Sequence, residues 1–249
     1  MSLPTAKEIE TASLQAWPGI EVEWDGAWVR RAAGGYTKRA NSLQCFDPAD
    51  GTDADQRLDQ AVHWFEARAL RPVVRCTPLA SPALDAVLDA RGWDTIDRSH
   101  LYATPIGEPV TDAEGQVSAV LDPHFLAAQQ SLRGYDDATL GQLKALLAAM
   151  AVPAAGIVIY RTGTPVATGL MAVADGIVLT GNVITDPTRR RQGLGAAMMN
   201  TGLAWAKTQG AHTAALNVQI DNTAAKALYA SLGYRHQYDY SYRVPGVPA

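Results

Sequence analysis

The stretch Thr185-Asp186-Pro187-Thr188-Arg189-Arg190-Arg191-Gln192-Gly193-Leu194-Gly195 decides how this chain is read. It is entered from an apolar, β-prone run, Ile177-Val178-Leu179-Thr180 on to Val183-Ile184, and left through the helix-forming Ala196-Ala197-Met198-Met199. A strand that passes through a basic, glycine-containing loop into a helix N-terminus makes an anion cradle. Glycine lets the backbone approach the anion closely. The unpaired N–H groups of the first helical turn point at it, and guanidinium forks add donors for phosphate oxygens. The loop lacks the Lys-Ser/Thr ending of a nucleoside-triphosphate P-loop and the first glycine of the dinucleotide G-x-G-x-x-G pattern. What it does contain is Arg190-x-x-Gly193-x-Gly195, shortly after Thr185-x-Pro187.

A second block follows. A helix-forming segment through Trp205 leads to the apolar run Ala214-Ala215-Leu216-Asn217-Val218. Then comes Asn222-Thr223-Ala224-Ala225-Lys226-Ala227-Leu228-Tyr229-Ala230-Ser231-Leu232-Gly233-Tyr234. Together the two blocks resemble the GNAT acyltransferase superfamily, whose acyl-CoA loop reads Q/R-x-x-G-x-G/A and whose closing segment reads N-x-x-A-x-x-L-Y-x-x-x-G-F/Y. The resemblance covers roughly residues 116 to 243. It implies an α/β (α+β) GNAT fold, with a mixed, mostly antiparallel central sheet flanked by helices. It also implies acetyl-CoA as co-substrate with no metal, a small-molecule or peptide amine as acceptor, and N-acyl transfer by direct attack in a ternary complex.

Composition bounds the rest. A chain of 249 residues suits one or two domains with a buried core, and 47% hydrophobic residues is an ordinary globular content. No apolar run is long enough for a membrane span, and Met1-Ser2-Leu3-Pro4 lacks a signal peptide's basic start and apolar stretch, so a cytoplasmic protein is expected. Cys45 and Cys76 are the only cysteines. With no C-x-x-C and no clustered histidines, neither a disulfide framework nor a metal site is expected. A net charge of −4 argues against a nucleic-acid binder and makes the arginine cluster stand out as a focused anion site. Oligomeric state stays open.

The second half reads as an α/β unit: a strand over Gln116 to Leu121, then a helix opened by Pro123-His124-Phe125-Leu126. A further helix carries Leu140, Leu143, Leu146 and Leu147 on one face. Ile157-Val158-Ile159-Tyr160 and Val166 to Val173 form a hairpin about Thr162-Gly163-Thr164-Pro165, and Asp175-Gly176 turns into the next strand. The first half echoes this plan, since Trp64 stands as far before Trp205 as Gly92 before Gly233 and Asn41 before Asn182. A hairpin is expected about Gly34-Gly35, with Trp28 to Arg31 and Thr37 to Asn41 as its strands. Residues 1–104 are therefore expected to be a degenerate GNAT-like domain and 105–249 the catalytic one, a tandem arrangement joined by Thr104-Pro105-Ile106-Gly107-Glu108-Pro109. At the position of the arginine loop the first half has Pro48-Ala49-Asp50-Gly51-Thr52-Asp53-Ala54-Asp55, whose carboxylates would repel a pyrophosphate.

By the resemblance, the acyl carbonyl hydrogen-bonds to backbone N–H near Ile184 and Thr185. The N–H groups of Arg190, Arg191, Gln192, Gly193, Leu194, Gly195 and Ala196 hold the pyrophosphate. Arg189 and Arg191 reach a phosphate or lie solvated. Asn222 matches a residue that contacts pantetheine, and is equally an N-cap. Tyr229 matches the tyrosine that protonates the departing thiolate, since a phenol of pKa ~10 stays protonated at neutrality. It also fits a core aromatic beside Leu228 and Leu232.

No general base is evident. Thr180, Gly181 and Asn182 carry no carboxylate, Asp175, Asp186 and Asp239 read as turn or surface residues, and His124, His212 and His236 stand alone. Deprotonation through water is the remaining route. Trp17, Trp24, Trp28 and Trp64 read as core rather than as an acceptor pocket, and Arg30, Arg31, Lys38 and Arg39 as a solvated sheet face. The alternative function is a non-catalytic acyl-CoA-binding or interaction module, which the missing base favours and Tyr229 opposes.

Overall fold

Apart from an extra strand and helix at the start of the second, the two halves build the same series of elements in a computed structural model that describes residues 2–246; Met1 and the end of the 105–249 range lie outside the described residues. The first half runs α1 (Ala6–Ala16), β1 (Glu21–Asp25), β2 (Trp28–Ala32), β3 (Leu43–Cys45), α2 (Ala54–Glu66), β4 (Val74–Cys76), α3 (Pro82–Ala90) and β5 (Asp94–Pro105). The second opens with β6 (Gly115–Ser118), α4 (Pro123–Arg133) and α5 (Asp137–Ala148). It continues with β7 (Ala154–Arg161), β8 (Thr164–Ala174), β9 (Ile177–Thr185), α6 (Leu194–Thr208), β10 (Thr213–Gln219), α7 (Thr223–Ser231) and β11 (Arg235–Val244). Moved along by the Trp64-to-Trp205 spacing, α2 falls within α6 and α3 falls on α7.

In each half three strands pair antiparallel in succession. A helix then crosses over to a fourth strand parallel to the third: β3 with β4 across α2, and β9 with β10 across α6. Parallel neighbours need such a crossover, whereas the antiparallel ones close through tight turns such as Asp175-Gly176, both left-handed at φ 50° and 74°. All strands among the described residues join one 11-stranded sheet in the order β1-β2-β3-β4-β11-β5-β10-β9-β8-β7-β6. At its centre the last strands are exchanged: β5 pairs antiparallel with β10, β11 pairs antiparallel with β4, and the two pair with each other. Each half's final strand is thus laid against the other half's parallel pair.

Helices cover both faces. α6 and α7 pack Met198, Met199, Leu203 and Tyr229 on Ile157, Val166, Met171 and Leu216. On the opposite face α4 and α5 bury Phe125, Leu143 and Leu146 against Val158 and Leu170, together with Trp17 and Tyr36 from the first half. α1 lies over the exchanged centre, with Ile9, Ala12 and Ala16 against Leu101, Leu179, Ala215 and Tyr238. α2 and α3 cover the first half's strands through Leu58, Phe65, Leu84 and Leu88. Side-chain caps place several helix starts: Ser81, Asp122 and Asp136 each accept a first-turn N–H, and Pro82 and Pro123 sit inside theirs. Among the described residues no helix is long and apolar enough to cross a membrane.

Three local expectations change. Thr37 to Asn41 is not a strand: Gly34, Gly35 and Thr37 all take positive φ, and a 3₁₀ turn occupies Lys38–Ala40 before β3 returns. The Asn41 amide ties this loop, accepting from the Ala33 and Gly35 N–H groups and donating to the Tyr36 and Thr37 carbonyls. Arg30 and Arg31 are buried, because β2 is an inner strand. Arg30 pairs with Glu23 at 2.8 Å, while Arg31 donates to the carbonyls of Trp17 and Arg39. Among the tryptophans, Trp28 is core, Trp17 is buried at the junction of the halves, Trp64 is half-buried beneath Arg68, and Trp24 on edge strand β1 is exposed.

Candidate active site

β9 and β10 are paired only from Ile177 opposite Thr213 to Thr180 opposite Leu216, and beyond that point they part. The cause lies in β9, whose register against β8 slips between Gly181 and Ile184 while Asn182 adopts φ 50°. A bulge of this kind bends its strand and increases the twist. The β10 side of β9 from Gly181 to Thr185 is left without a strand partner, which opens a wedge.

The arginine loop lies at the mouth of this wedge. Asp186 accepts from the Thr188 N–H at 2.8 Å and seeds a 3₁₀ turn over Pro187–Arg189. Arg191 then takes φ 59°, and Gly193 at φ 73° is the N-cap of α6, with no side chain capping the helix. The first-turn N–H groups of α6 are thereby left for a ligand. Gly195 serves another purpose: a Cβ there would stand 2.8 Å from Leu228 Cδ2, so its absence lets α6 close on α7.

A cavity of about 560 Å³ occupies the wedge. Its wall brings together Ile184, Thr185, Arg190, Arg191, Gly193, Leu194, Gly195, Ala196, Asn222 and Tyr229. Gln192 is exposed and does not belong to the wall. Arg189 also lines it, at 3.8 Å from Asp186, whereas Arg190 and Arg191 form no ion pair among the described residues. Val183, Ala224, Ala225 and Leu228 complete the wall. The sequence reading did not single them out, although the small residues in the first turn of α7 were a signal of close approach.

Asn222 caps α7, accepting from the Ala225 N–H at 3.1 Å, and still borders the cavity, so the two readings of this residue coexist geometrically. Tyr229 is buried, with its ring 5.7 Å from that of Tyr234. Burial pushes its hydroxyl up to about 12, against the opposing pull of the Arg133 guanidinium. Arg133, another residue the sequence did not flag, donates to the Val183 carbonyl at 3.1 Å.

Around the bulge a polar cluster draws on both halves. The Tyr36 and Tyr135 hydroxyls lie 3.0 Å apart, the Asn182 amide donates to Tyr36 at 3.3 Å, and Gln129 donates to the Asn182 carbonyl at 3.1 Å. On β10, just past the point of parting, both amide atoms of Asn217 are buried without a hydrogen-bond partner among the described residues. None of the carboxylates or imidazoles considered as bases lines the cavity. Asp175 accepts from Gln15, and Asp239 lies between His100 and His236.

The corresponding loop of the first half is closed on itself. Asp50 accepts from the Ala27 N–H at 2.7 Å and binds Arg57 at 2.7 Å, while Arg57 also holds Asp25 at 2.8 Å. This carboxylate-guanidinium knot, stacked on Trp28 at 4.2 Å, fills the space with side chains of the chain itself.

Known proteins share this arrangement over almost the whole chain. The family model described as probable histone acetyltransferase Rv0428c C-terminal matches residues 5–243. The chain is similar to the uncharacterized N-acetyltransferase YobR of Bacillus subtilis (strain 168), at 26% identity over 96% of this chain and 98% of that protein. Its fold is that of a GCN5-related N-acetyltransferase from Kribbella flavida, with a TM-score of 0.74, 23% identity, and coverage of 99% of this chain and 98% of the other. A tandem GNAT protein from the clavulanic acid biosynthesis pathway has the same fold at a TM-score of 0.63 and 11% identity, over 89% of this chain and 79% of its own. This chain belongs to the Rv0428c C-terminal family of the GNAT superfamily and is an N-acetyltransferase.

Proposed function

We propose that this N-acetyltransferase takes the acetyl group of acetyl-CoA and passes it to an amine by direct attack in a ternary complex. There is one CoA site per chain, in the half 105–249, and the degenerate half 1–104 walls the acceptor side. The observation that carries the reading is the wedge between β9 and β10, which opens onto the uncapped first turn of α6. A pantetheine arm laid along the free edge of β9 replaces the missing strand partner. The thioester carbonyl then accepts from backbone N–H near Ile184 and Thr185, a contact indifferent to side-chain identity. The pyrophosphate takes the N–H groups between Arg190 and Ala196, with Arg190 and Arg191 as forked donors.

In the transfer, the neutral amine attacks the thioester carbon, the C–N bond forms and the C–S bond breaks. The nitrogen loses its proton to ordered water, and the sulfur departs as a thiolate that takes its proton from the same water. Tyr229, protonated at neutral pH, donates a hydrogen bond to the departing sulfur. With its hydroxyl near 12 it is a weaker acid than a thiol of ~8.5, so it stabilises the developing thiolate without having to surrender its proton. The wall holds no carboxylate or imidazole, and amine deprotonation accordingly runs through ordered water. Tyr36, Tyr135, Asn182 and the unpartnered amide of Asn217 are the groups that receive the acceptor.

Two linked measurements test this. Calorimetric titration of acetyl-CoA should give one equivalent bound per chain. Thiol detection should show CoA released only when an amine is present, beginning with lysine-bearing histone-type peptides because of the family's description. Two equivalents bound would overturn the single site, and no binding would overturn the cradle.

A further inference from the structure

Outside the cavity, one group of side chains converges that the acetyl-transfer reading does not use. His100 on β5 and His236 and Asp239 on β11 present three ligand atoms that all lie within 4.8 Å of one another. His100 Nδ1 and His236 Nε2 each stand 2.6 Å from the same oxygen, Asp239 Oδ1. The two imidazoles meet edge to face at 5.1 Å. Tyr102 braces both, with ring centroids 5.7 Å from His100 and 5.9 Å from His236.

A regular strand would not produce this convergence. Side chains three apart on a strand point to opposite faces. Here the β11 register against β5 slips between His236 and Tyr238, so Gln237 is an extra residue and His236 and Asp239 come to one face opposite Tyr102 and His100. The site exists only because β5 and β11, the exchanged last strands of the two halves, are neighbours.

We propose that His100, His236 and Asp239 form a binding site for a transition-metal dication of the Zn²⁺ type, which staples the exchanged strands of the two halves together. Two imidazoles with one carboxylate are a donor set for Zn²⁺, Co²⁺ or Ni²⁺ rather than for Mg²⁺ or Ca²⁺, which take oxygen ligands. Tetrahedral Zn²⁺ with bonds of about 2.0–2.1 Å needs ligand atoms some 3.3 Å apart. The shared Asp239 oxygen must therefore back away by less than about 1 Å, which a carboxylate 66% exposed can do. Three protein ligands leave the fourth position to water. None of the three residues lines the acetyl-CoA cavity, so this site is separate from the transfer chemistry.

The test uses untagged full-length protein, stripped with a chelator and titrated with ZnCl₂ by calorimetry at neutral pH. The expected result is one Zn²⁺ per chain, with affinity lowered at least tenfold by His236→Ala and by Asp239→Ala and unchanged by Cys76→Ser. Free Zn²⁺ at about a hundred times Kd should raise the thermal midpoint by about 5 °C in the parent protein and leave His236→Ala unmoved. Co²⁺ should give visible d–d bands of tetrahedral intensity that disappear in the same variants. Retained acetyl-CoA affinity in His236→Ala, a residue half-exposed on the sheet, shows that the variant is folded. No saturable binding, binding indifferent to His236→Ala and Asp239→Ala, or binding lost in Cys45→Ser or Cys76→Ser would overturn the proposal.

Discussion

Gly193 and Gly195 sit two residues apart in one loop and are glycine for different reasons. A Cβ on Gly193 would meet no heavy atom within 4 Å, but its φ of 73° lies where a β-branched residue is strained by about 1–2 kcal/mol. Gly193→Val should therefore fold, with the loop N–H groups moved off the cradle geometry. The expected result is acetyl-CoA affinity lowered at least tenfold by calorimetry, with a thermal midpoint lowered by only about 2–4 °C. Gly195→Val drives a methyl into Leu228 and should lower both affinity and midpoint, because it parts α6 from α7. At Tyr229 the deletion of one oxygen separates chemistry from packing. Tyr229→Phe keeps the ring against Tyr234, and kcat is expected to fall about a hundredfold while the acetyl-CoA Kd stays within about twofold. Equal turnover would return Tyr229 to the core. Gly193, Gly195 and Tyr229, which the sequence singles out by residue type at fixed spacing, do come together in the wall of one cavity. Arg133 and Asn217 are not singled out, since nothing local distinguishes an exposed helix-end arginine or a strand asparagine until the wedge is formed around them.

Among the elements, α1 is the one whose sequence says least about its task. Its N-terminus is a capping box, Thr5 with Glu8, and its buried positions are mostly small. Yet Glu10 on its inner face is fully buried. It pairs with Arg75 of β4 and accepts from the Gln44 amide at 2.8 Å and the Tyr238 hydroxyl at 2.6 Å. The Arg75 guanidinium also lies 4.1 Å over the Tyr240 ring. Burial alone would raise the Glu10 carboxyl, but the charge and hydrogen bonds of Arg75, with Tyr238 and Gln44, hold it below its ordinary 4.5. A carboxyl depressed in the folded state contributes stability that is complete above its unfolded pKa and is lost as pH falls through the folded one. Urea unfolding should accordingly show a constant contribution from pH 7 down to about 5 and a progressive loss below about 4.5. Glu10→Gln leaves the Arg75 charge buried without a counter-ion and should cost about 3–5 kcal/mol at pH 7, removing most of that acid slope. A buried charge network of this kind, whose partners are far apart in sequence, leaves no pattern in the chain. Arg31 reads from sequence as part of a solvated sheet face, and no local pattern marks Arg75.

For the molecule as a whole, the exchange of β5 and β11 governs how the halves depend on each other. The range 105–249 contains the entire proposed cradle but not β5, which pairs along β10 from Ser99 opposite Gln219 to Pro105 opposite Thr213. Expressed alone, residues 105–249 would expose the edge of β10 and leave β11 without either neighbour, an arrangement that invites aggregation. The expected outcome is a fragment without the near-ultraviolet circular dichroism of a packed core, whereas co-expression with residues 1–104 restores it. Calorimetric unfolding of the full chain should show one transition, since no boundary crosses the sheet without breaking strand pairs. Two separated transitions, or a well-folded fragment, would contradict this dependence.

The sequence by itself determined most of the second half's elements and turns, and the loop and helix residues that the fold gathers in the wedge. Local propensity, capping and residue-specific chemistry all act over a few neighbouring positions. It also disclosed the repeat, because two copies of one fold carry their landmarks at one spacing. Only the tertiary structure decided where the repeat closes. Whether β5 lies beside β4 or beside β10 changes no local preference, since both neighbours offer the same antiparallel ladder. That choice is made by long-range packing under α1. The two-half polar cluster at Asn182 and the meeting of His100 with His236 and Asp239 follow from it, whereas the wedge follows from the bulge in β9.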